Sequence, residues 1–146
     1  MKKNANKGFS LVELIIVIAI MAVLIGVLAP QFIKQVEKAR ESKDITNLDS
    51  CVESVKVYYA DVEEPPASVA ITVDSGTKLF KSSDSNKALE DAGAASAKMS
   101  GKWTTTPSAT LYFKDGDGHK LGDVVYTGAA TYFTANSDGT GYDPVK

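Results

Sequence analysis

Residue types that carry catalytic or metal chemistry are scarce in this 146-residue chain, which has one cysteine, one histidine and one tryptophan. A single cysteine excludes an intrachain disulfide framework and any zinc site built from several cysteines. His119 is the only histidine, and it stands in no recognisable Ser-His-Asp or Cys-His grouping. Phosphate-binding loops and nucleotide fingerprints are also absent from the sequence. We therefore expect that the chain is not an enzyme.

The chain also lacks a strong charge of either sign. It has 16 basic and 18 acidic side chains, a formal net charge of −2, and a mean hydropathy of −0.08. There is no basic surplus, so the sequence gives no strong nucleic-acid signal. The averages also exclude a disordered acidic tail and a membrane protein with many spans. The length is typical of one domain.

Charge is missing altogether from one segment near the start of the chain. No charged residue lies between Glu13 and Lys34, and the twenty residues Leu14–Ile33 are almost wholly apolar. As a helix, twenty residues span about 30 Å, the thickness of the hydrocarbon core of a bilayer. From Lys34 onward the chain is polar, so the pattern predicts a single membrane-spanning segment.

The apolar segment has two ordinary interpretations, and neither fits fully. A cleaved secretory signal fits the basic flank, but the run is long for one and Pro30 would follow its small-residue exit at Ala29. A plain membrane anchor fits the length and the basic flank. It does not account for Glu13, because a carboxylate at helix depth costs about 2.5–3.5 kcal/mol.

A third interpretation rests on residues Lys7–Glu13, with the sequence KGFSLVE. This segment resembles the class III signal sequence of type IV prepilins. The resemblance implies cleavage between Gly8 and Phe9 by a prepilin peptidase, which then methylates the new amino group of Phe9. It also places Glu13 at the position that defines the family, where it acts in assembly.

The resemblance gives Glu13 a role in setting the register between subunits. The methylated amine of Phe9 is positive and can meet the Glu13 carboxylate of a neighbouring subunit. The attraction is strong in a low-dielectric bundle, although desolvation offsets much of it. Affinity would come from burial of Leu14–Ile33, at roughly 1.5–3 kcal/mol gross for each large side chain. Alternatively, Glu13 is simply a carboxylate at the positive end of the helix dipole.

Gly26 and Pro30 interrupt the apolar segment. Pro30 falls where many type IV pilins bend their helix, so we predict that the helix kinks or unwinds between these residues on packing into a filament. The alternative is that both are tolerated irregularities, because glycine and proline are commoner in membrane helices than in soluble ones.

The helix is predicted to continue beyond the apolar segment. Five apolar residues then recur at steps of three and four, which is typical of an amphipathic helix: Ile45, Leu48, Val52, Val55 and Tyr59. We expect Cys51, beside this stripe, to be a small buried apolar residue. The preceding charged residues are predicted to be solvated: Lys34, Glu37, Lys38, Arg40, Glu41, Lys43 and Asp44.

The second half of the chain has strand and turn signals. We predict a short strand over Val69–Val73, a turn at 74–76, a short helix over Asn86–Ala92 that ends at Gly93, and a loop over 94–101. Residues 109–114, 123–127 and 131–135 predict a three-stranded antiparallel meander, with the tail 136–146 over its edge. One of two sets faces the helix stripe: Tyr112, Tyr126 and Tyr132, or Leu111, Phe113, Val125 and Phe133.

Together these elements predict an α+β fold, a long helix packed on a small antiparallel sheet, which resembles the ladle of type IV pilins. The predicted organisation is a cleaved leader over 1–8, a helix over 9–62 and a globular head over 63–146. Within the helix, residues 9–33 are the transmembrane and polymerisation segment, and residues 34–62 are amphipathic.

The acidic run between Asp115 and Asp123 allows two interpretations. Spaced carboxylates with glycines suit calcium, which makes Asp115, Asp117 and Asp123 a weak calcium candidate and calcium the one cofactor considered. The spacing departs from an EF-hand, however, and Asp-Gly pairs are typical of hairpin turns, which is the favoured interpretation. Trp103 is interpreted as an exposed contact patch or as the start of a strand.

The resemblance implies a structural role, as the major subunit of a type IV pilus that serves adhesion, twitching motility or DNA uptake. Its partners would be copies of itself, the prepilin peptidase and methyltransferase, an inner-membrane assembly platform with its ATPase, minor pilins, and membrane lipid before assembly. The chain would first span the cytoplasmic membrane, N-terminus inside, and then lie in the surface pilus. The alternatives are a pseudopilin of a type II secretion or competence system, and an anchored binding domain that does not polymerise.

Overall fold

A computed structural model of the chain describes residues 10–84, 86–115, 118 and 121–128, and the backbone of two short strands at 133–135 and 142–144. The chain divides into two compact units, Met1–Val36 and Glu37–Lys146. We call these the N-terminal unit and the C-terminal unit.

Helix α1 runs over Leu11–Ala60, close to the bounds expected from the sequence. Its described part in the N-terminal unit is almost entirely exposed, including every large apolar side chain from Leu11 to Ile33. By length and composition α1 is apolar enough to cross a membrane.

In the described residues that follow α1, the C-terminal unit contains six strands, a short helix and one turn of 3-10 helix. In chain order they are β1 Ser68–Val73, β2 Phe80–Ser82, α2 Lys87–Asp91, the 3-10 turn Ala94–Ser96, β3 Ser108–Tyr112, β4 Val124–Thr127, β5 Phe133–Ala135 and β6 Tyr142–Pro144. The first four strands form an antiparallel sheet with the strand order β2-β1-β3-β4. Strands β5 and β6 form a separate two-stranded sheet.

The predicted meander is wrong in its third strand. Strands β3 and β4 pair as expected, but β5 pairs with β6, and the other neighbour of β3 is β1. A strand between two partners can hydrogen-bond its backbone on both sides, and β1 supplies this second side with Val69 and Ile71 in the core. Most of the tail that was predicted to cover the sheet edge lies outside the described residues.

The predicted helix stripe is confirmed as the centre of the core. Leu48, Val52 and Val55 are fully buried, and Ile45 and Tyr59 are nearly so. They pack against apolar side chains of the sheet and of α2: Val69, Ile71, Phe80, Leu89, Ala109, Leu111 and Tyr126. The amphipathic half of α1 thus covers one face of the sheet.

Neither predicted set of sheet residues forms that face as a set. The register pairs Ala109 with Tyr126 and Leu111 with Val124, and residues directly opposite in an antiparallel pair share a face. Leu111 and Tyr126 are therefore buried together although they came from different sets. The pairing register decides which side chains of each strand face helix α1. The alternation of apolar residues within a single strand does not decide this. Tyr132 lies outside the described residues.

Candidate assembly site on helix α1

The N-terminus of α1 is capped by a contact between Ser10 and Glu13. The backbone N–H of Ser10 donates to Oε2 of Glu13 at 3.0 Å, and the N–H of Leu14 donates to the carbonyl of Ser10 at 3.2 Å. Ser10 precedes the first helical residue, so Glu13 occupies the third helical position, where a glutamate caps the helix start. The negative charge also lies beside the positive end of the helix dipole.

This cap leaves Glu13 able to bind a second donor. An ionised carboxylate accepts several hydrogen bonds, and the contact with Ser10 uses one oxygen. Glu13 is exposed, so a cation from another molecule can reach it. The helix-start interpretation of Glu13 and the inter-subunit interpretation are therefore compatible. Gly8 and Phe9 lie outside the described residues.

The apolar surface that follows Glu13 is unusually complete. Large side chains project on every side of the helix, with exposed fractions from 44% at Val17 to 69% at Val23 and Phe32. A continuous apolar surface of this extent requires a covering of lipid or of other apolar chains. The segment therefore needs such a covering along its whole length.

Gly26 and Pro30 are linked by the hydrogen-bonding pattern of the helix. Pro30 has no N–H, so it cannot donate to the carbonyl four residues earlier, which belongs to Gly26. The α-helix nevertheless continues through both residues. Nothing lies within 4 Å of a Cβ built on Gly26, so close packing within the chain does not require a glycine there. A kink at these residues on assembly stays a prediction.

Comparison with known proteins gives a match at the N-terminal end of the chain, which includes the start of α1. The family model for the prokaryotic N-terminal methylation motif matches residues 3–29. The type IV major pilin protein PilA of Myxococcus xanthus is 36% identical over 56 residues, which are 38% of this chain and 26% of that protein. The N-terminal segment of this chain therefore carries the methylation motif, and the chain is similar to type IV pilins.

Two further relatives match this chain over longer stretches of sequence. The type IV wide pilus major component PilA4 of Thermus thermophilus is 34% identical over 76 residues, 52% of this chain and 57% of that protein. The prepilin peptidase-dependent protein A of Clostridium perfringens is 32% identical over 77 residues, 51% of this chain and 55% of that protein. The chain thus spans between about a quarter and just over half of these relatives. No solved structure matches it.

The chain buries one carboxylate that was predicted to be solvated. Asp44 is completely buried. Its Oδ1 accepts the backbone N–H of Ser100 at 2.8 Å and the Ser100 hydroxyl at 3.1 Å. Its Oδ2 accepts the backbone N–H of Gly101 at 2.7 Å and the indole N–H of Trp103 at 2.8 Å. Four donors thus replace the water that the carboxylate loses on burial.

A second carboxylate on α1 binds the same loop. Glu37, which is half-buried, accepts the backbone N–H of Lys102. The charged stretch is therefore only partly solvated, and the expectation for Asp44 is wrong. The spacing in the sequence could have indicated this burial. Asp44 precedes Leu48 by four residues and therefore lies on the same side of the helix as the buried stripe.

Trp103 has a different role from either one expected for it. It is half-buried, packs against the core and donates to Asp44. It also lies before β3, which begins at Ser108. Trp103 is therefore neither an exposed patch nor a strand residue, and it fastens the loop before β3 to α1.

The acidic run between β3 and β4 has the contacts of a hairpin connection. The N–H of Leu121 donates to Oδ1 of Asp115 at 2.7 Å, and the N–H of Gly122 donates to the carbonyl of Tyr112 at 2.8 Å. The N–H of Tyr112 in turn donates to the carbonyl of Asp123 at 3.0 Å. These contacts use one of the three candidate calcium carboxylates within the turn.

The calcium candidate is not assembled among the described residues. No group of three His, Cys, Asp or Glu side chains that would hold a metal ion occurs in the described part of the chain. Asp117 and His119 lie outside that part. Calcium binding by Asp115, Asp117 and Asp123 therefore stays a prediction.

Cys51 lies in the core, as the sequence predicted. It is fully buried and forms no disulfide. Burial raises the pKa of its thiol from the ordinary 9.0 to about 11, because the charged thiolate is poorly solvated there. The thiol therefore stays protonated and unreactive at neutral pH.

Proposed function

We propose that this chain is the major structural subunit of a type IV pilus filament, with α1 as its polymerisation element. The observation that carries the proposal is the order of features along one helix. A capped glutamate at the start of α1 is followed directly by twenty residues of exposed, almost wholly apolar surface. The chain itself catalyses no reaction in this role.

Maturation precedes assembly in this proposal. The prepilin peptidase cleaves between Gly8 and Phe9 on the cytoplasmic side and methylates the Phe9 amine. Lipid covers the apolar segment while the C-terminal unit lies outside the membrane. An assembly platform driven by its ATPase, together with minor pilins, then moves the subunit into the filament, where neighbouring helices replace the lipid.

The named relatives support the pilus over a secretion pseudopilus. Two of them are described as major pilus components, one in Myxococcus xanthus and one in Thermus thermophilus. Adhesion, twitching motility and DNA uptake are the roles that such a filament would serve.

Electron microscopy of sheared surface material, with the N-terminal mass of its main protein, tests the proposal. We expect long fibres whose subunit begins at a methylated Phe9. Stubs that stay within the envelope would instead identify a pseudopilin. A subunit that begins at Met1 and stays in the membrane as a monomer would overturn both filament interpretations and leave an anchored domain.

Substitution of Glu13 separates its charge from its capping role. Glu13→Gln keeps a side-chain oxygen that accepts the Ser10 N–H, because glutamine also completes a capping box, but it removes the charge. Glu13→Ala removes both. If the inter-subunit ion pair sets the register, both variants mature normally and yield few or no filaments. Abundant filaments from the glutamine variant would assign Glu13 to capping alone.

Substitution of the leader tests the cleavage site. We expect Gly8→Ala, or a larger residue there, to block processing, so that the protein keeps the mass of residues 1–8. Asn6→Ala, in the same leader, is the matched control and should be processed. A normally cleaved Gly8→Ala protein would show that this glycine is not required.

A further inference from the structure

The apolar segment of α1 has a polar side chain near each of its ends. Between Glu13 and Ile33, only Glu13 and Gln31 have side chains with oxygen or nitrogen atoms. They are 18 residues apart in a continuous α-helix, which is about five full turns. Both side chains are exposed and both lie on the same face of the helix. The face between them is apolar.

The same segment has a backbone carbonyl that lacks its usual donor. The carbonyl of Gly26 would accept the N–H four residues later, and Pro30 has none. Gly26 is exposed, and open space surrounds a Cβ built on it, so another chain can approach this carbonyl closely. A peptide carbonyl that stays unpaired in apolar surroundings costs free energy, so this group needs a donor once lipid or other helices cover the segment.

Gln31 has the donor that this carbonyl needs. Its carboxamide carries two N–H groups, and burial without an acceptor costs free energy for them as well. Within one helix the two groups do not face each other, because five residues turn the helix to a direction about 140° away. An acceptor for Gln31 therefore has to come from another molecule.

The proposed ion pair between Phe9 and Glu13 of two copies brings these groups to one level. When the Phe9 amine of a neighbouring copy meets Glu13, residue 27 of that copy is level with Gln31, because each is 18 residues further along. The Gly26 carbonyl belongs to the peptide bond between residues 26 and 27 and points towards the C-terminus. Glutamate and glutamine side chains have equal length and lean alike along a helix, so the correspondence also holds at their ends.

We propose that the carboxamide of Gln31 donates to the Gly26 carbonyl of a neighbouring copy, as a second positioning contact between subunits. The inference rests on the proposed function. It takes the kinked form of the helix rather than the unwound form, since unwinding before Pro30 would move Gln31 along the axis. A slip by one helical turn would break both contacts and leave the carboxylate, the carboxamide and the carbonyl unpaired in apolar surroundings. Two contacts along one face thus select the register more strictly than the ion pair alone.

Substitution of Gln31 in the full-length chain tests the contact. Gln31→Leu keeps the size of the side chain and removes its donor. We expect the yield of sheared filaments to fall by roughly tenfold, the order expected for one hydrogen bond between membrane helices. An unchanged yield would overturn the proposal.

The matched control combines Gln31→Leu with Phe32→Gln. It keeps a carboxamide at nearly the same depth in the segment but turns it by about 100° around the helix. The yield should stay low. Full recovery of the yield would show that Gln31 acts only as a polar group near the membrane surface, and the contact with Gly26 would be wrong.

Pro30→Ala tests which acceptor Gln31 uses. Alanine supplies the missing N–H, so the Gly26 carbonyl is satisfied within its own helix. In this background Gln31→Leu should lower the yield much less than it does in the unsubstituted chain, because the two substitutions act on the same hydrogen bond. An equal loss in both backgrounds would exclude the Gly26 carbonyl as the acceptor.

Solid-state NMR of unsubstituted filaments observes the contact directly. Gly26 and Val27 form the only Gly-Val pair in the sequence, so carbon-13 in glycine carbonyls and nitrogen-15 in valine select the Gly26 carbonyl. We expect magnetisation transfer to this carbonyl from the side-chain nitrogen of labelled glutamine. Filaments without this transfer overturn the contact alone, whereas absence of filaments from the unsubstituted chain overturns the proposed function.

Discussion

The indole N–H of Trp103 donates to the fully buried carboxylate of Asp44 at 2.8 Å, across 59 residues of sequence. The same carboxylate accepts the backbone N–H groups of Ser100 and Gly101. It therefore ties the loop before β3 to helix α1. These hydrogen bonds attach α1 to the loop before β3 next to Ile45, the first residue of the apolar stripe.

Substitution of Asp44 should destabilise the C-terminal unit. Asp44→Ala leaves four donors without their acceptor, and a buried donor without a partner costs about 1–3 kcal/mol. We expect a loss of about 3 kcal/mol in the free energy of unfolding, with part of it recovered in Asp44→Asn. Thermal unfolding of the full chain in detergent micelles, followed by circular dichroism, measures the loss.

Trp103 reports the same change directly, because it is the only tryptophan. Its fluorescence should shift towards the red in Asp44→Ala as the indole gains water. Asp61→Ala, which removes an exposed carboxylate just beyond the end of α1, should change the free energy of unfolding by less than about 0.5 kcal/mol. Equal effects of the two substitutions would contradict the role of Asp44.

Gly128 should tolerate no side chain. Its φ is +84°, and a Cβ there would lie 2.3 Å from the carbonyl oxygen of Thr106 and 3.2 Å from Cα of Pro107. Gly122 is the matched control, since its φ is +90° but nothing lies within 4 Å of its Cβ. We expect Gly122→Ala to cost about 1–2 kcal/mol from backbone strain alone.

Gly128→Ala should cost at least about 2 kcal/mol more than this, because backbone must move to relieve the overlap. Urea titration of the two variants measures the difference. Similar urea midpoints for the two variants would mean that the backbone at Thr106 moves easily. The loss of stability in both would then come from the positive φ alone.

Stability should fall at alkaline pH through Tyr59. Burial, followed by the hydrogen bond that its hydroxyl donates to Asp84, raises the pKa of Tyr59 from 10.0 to about 12. Between these values the unfolded chain releases a proton that the folded chain keeps, so the free energy of unfolding decreases as the pH rises. The contribution is complete below pH 10 and is lost as the pH passes 12.

Tyr59→Phe should be less stable at neutral pH by about 0.5–1.5 kcal/mol, the net value of one hydrogen bond. Its stability should then fall less steeply than that of the unsubstituted chain between pH 10 and 12. Denaturant midpoints across this range measure the slope. Because burial also raises the pKa of Cys51, both proteins must keep that cysteine so that its contribution cancels. Parallel slopes would show that Tyr59 titrates normally.

Cys51 should resist alkylation in the folded protein. The reagent attacks the thiolate, which burial disfavours, and the side chain is fully buried. We expect no mass shift with iodoacetamide at neutral pH and complete modification in urea. Val57→Cys, with its exposed site six residues later, should be modified once under native conditions. Modification of Cys51 in the native monomer would place it outside the core.

Local periodicity predicted the elements whose stabilising contacts repeat along one helix or strand. The steps of three and four from Ile45 to Tyr59 predicted a buried stripe, and all five residues are in the core. Alternation at Val69–Val73 likewise predicted strand β1. The Lys7–Glu13 motif and the apolar run predicted the match to the N-terminal methylation motif, because both are read directly from neighbouring residues.

The partners of these elements depend on contacts between distant parts of the chain. Nothing in the strand at 133–135 distinguishes β4 from β6 as its neighbour, and β1 joins β3 across about forty residues. The burial of Asp44 likewise requires donors from residues 100–103. The sequence by itself determined the long helix, the apolar segment in its first half and the buried stripe in its second half. Each is a local pattern of side-chain hydrophobicity. Only the tertiary structure decided the strand order, the sheet face and the polar tie at Asp44, because these depend on which backbone and polar groups satisfy one another once the chain has folded.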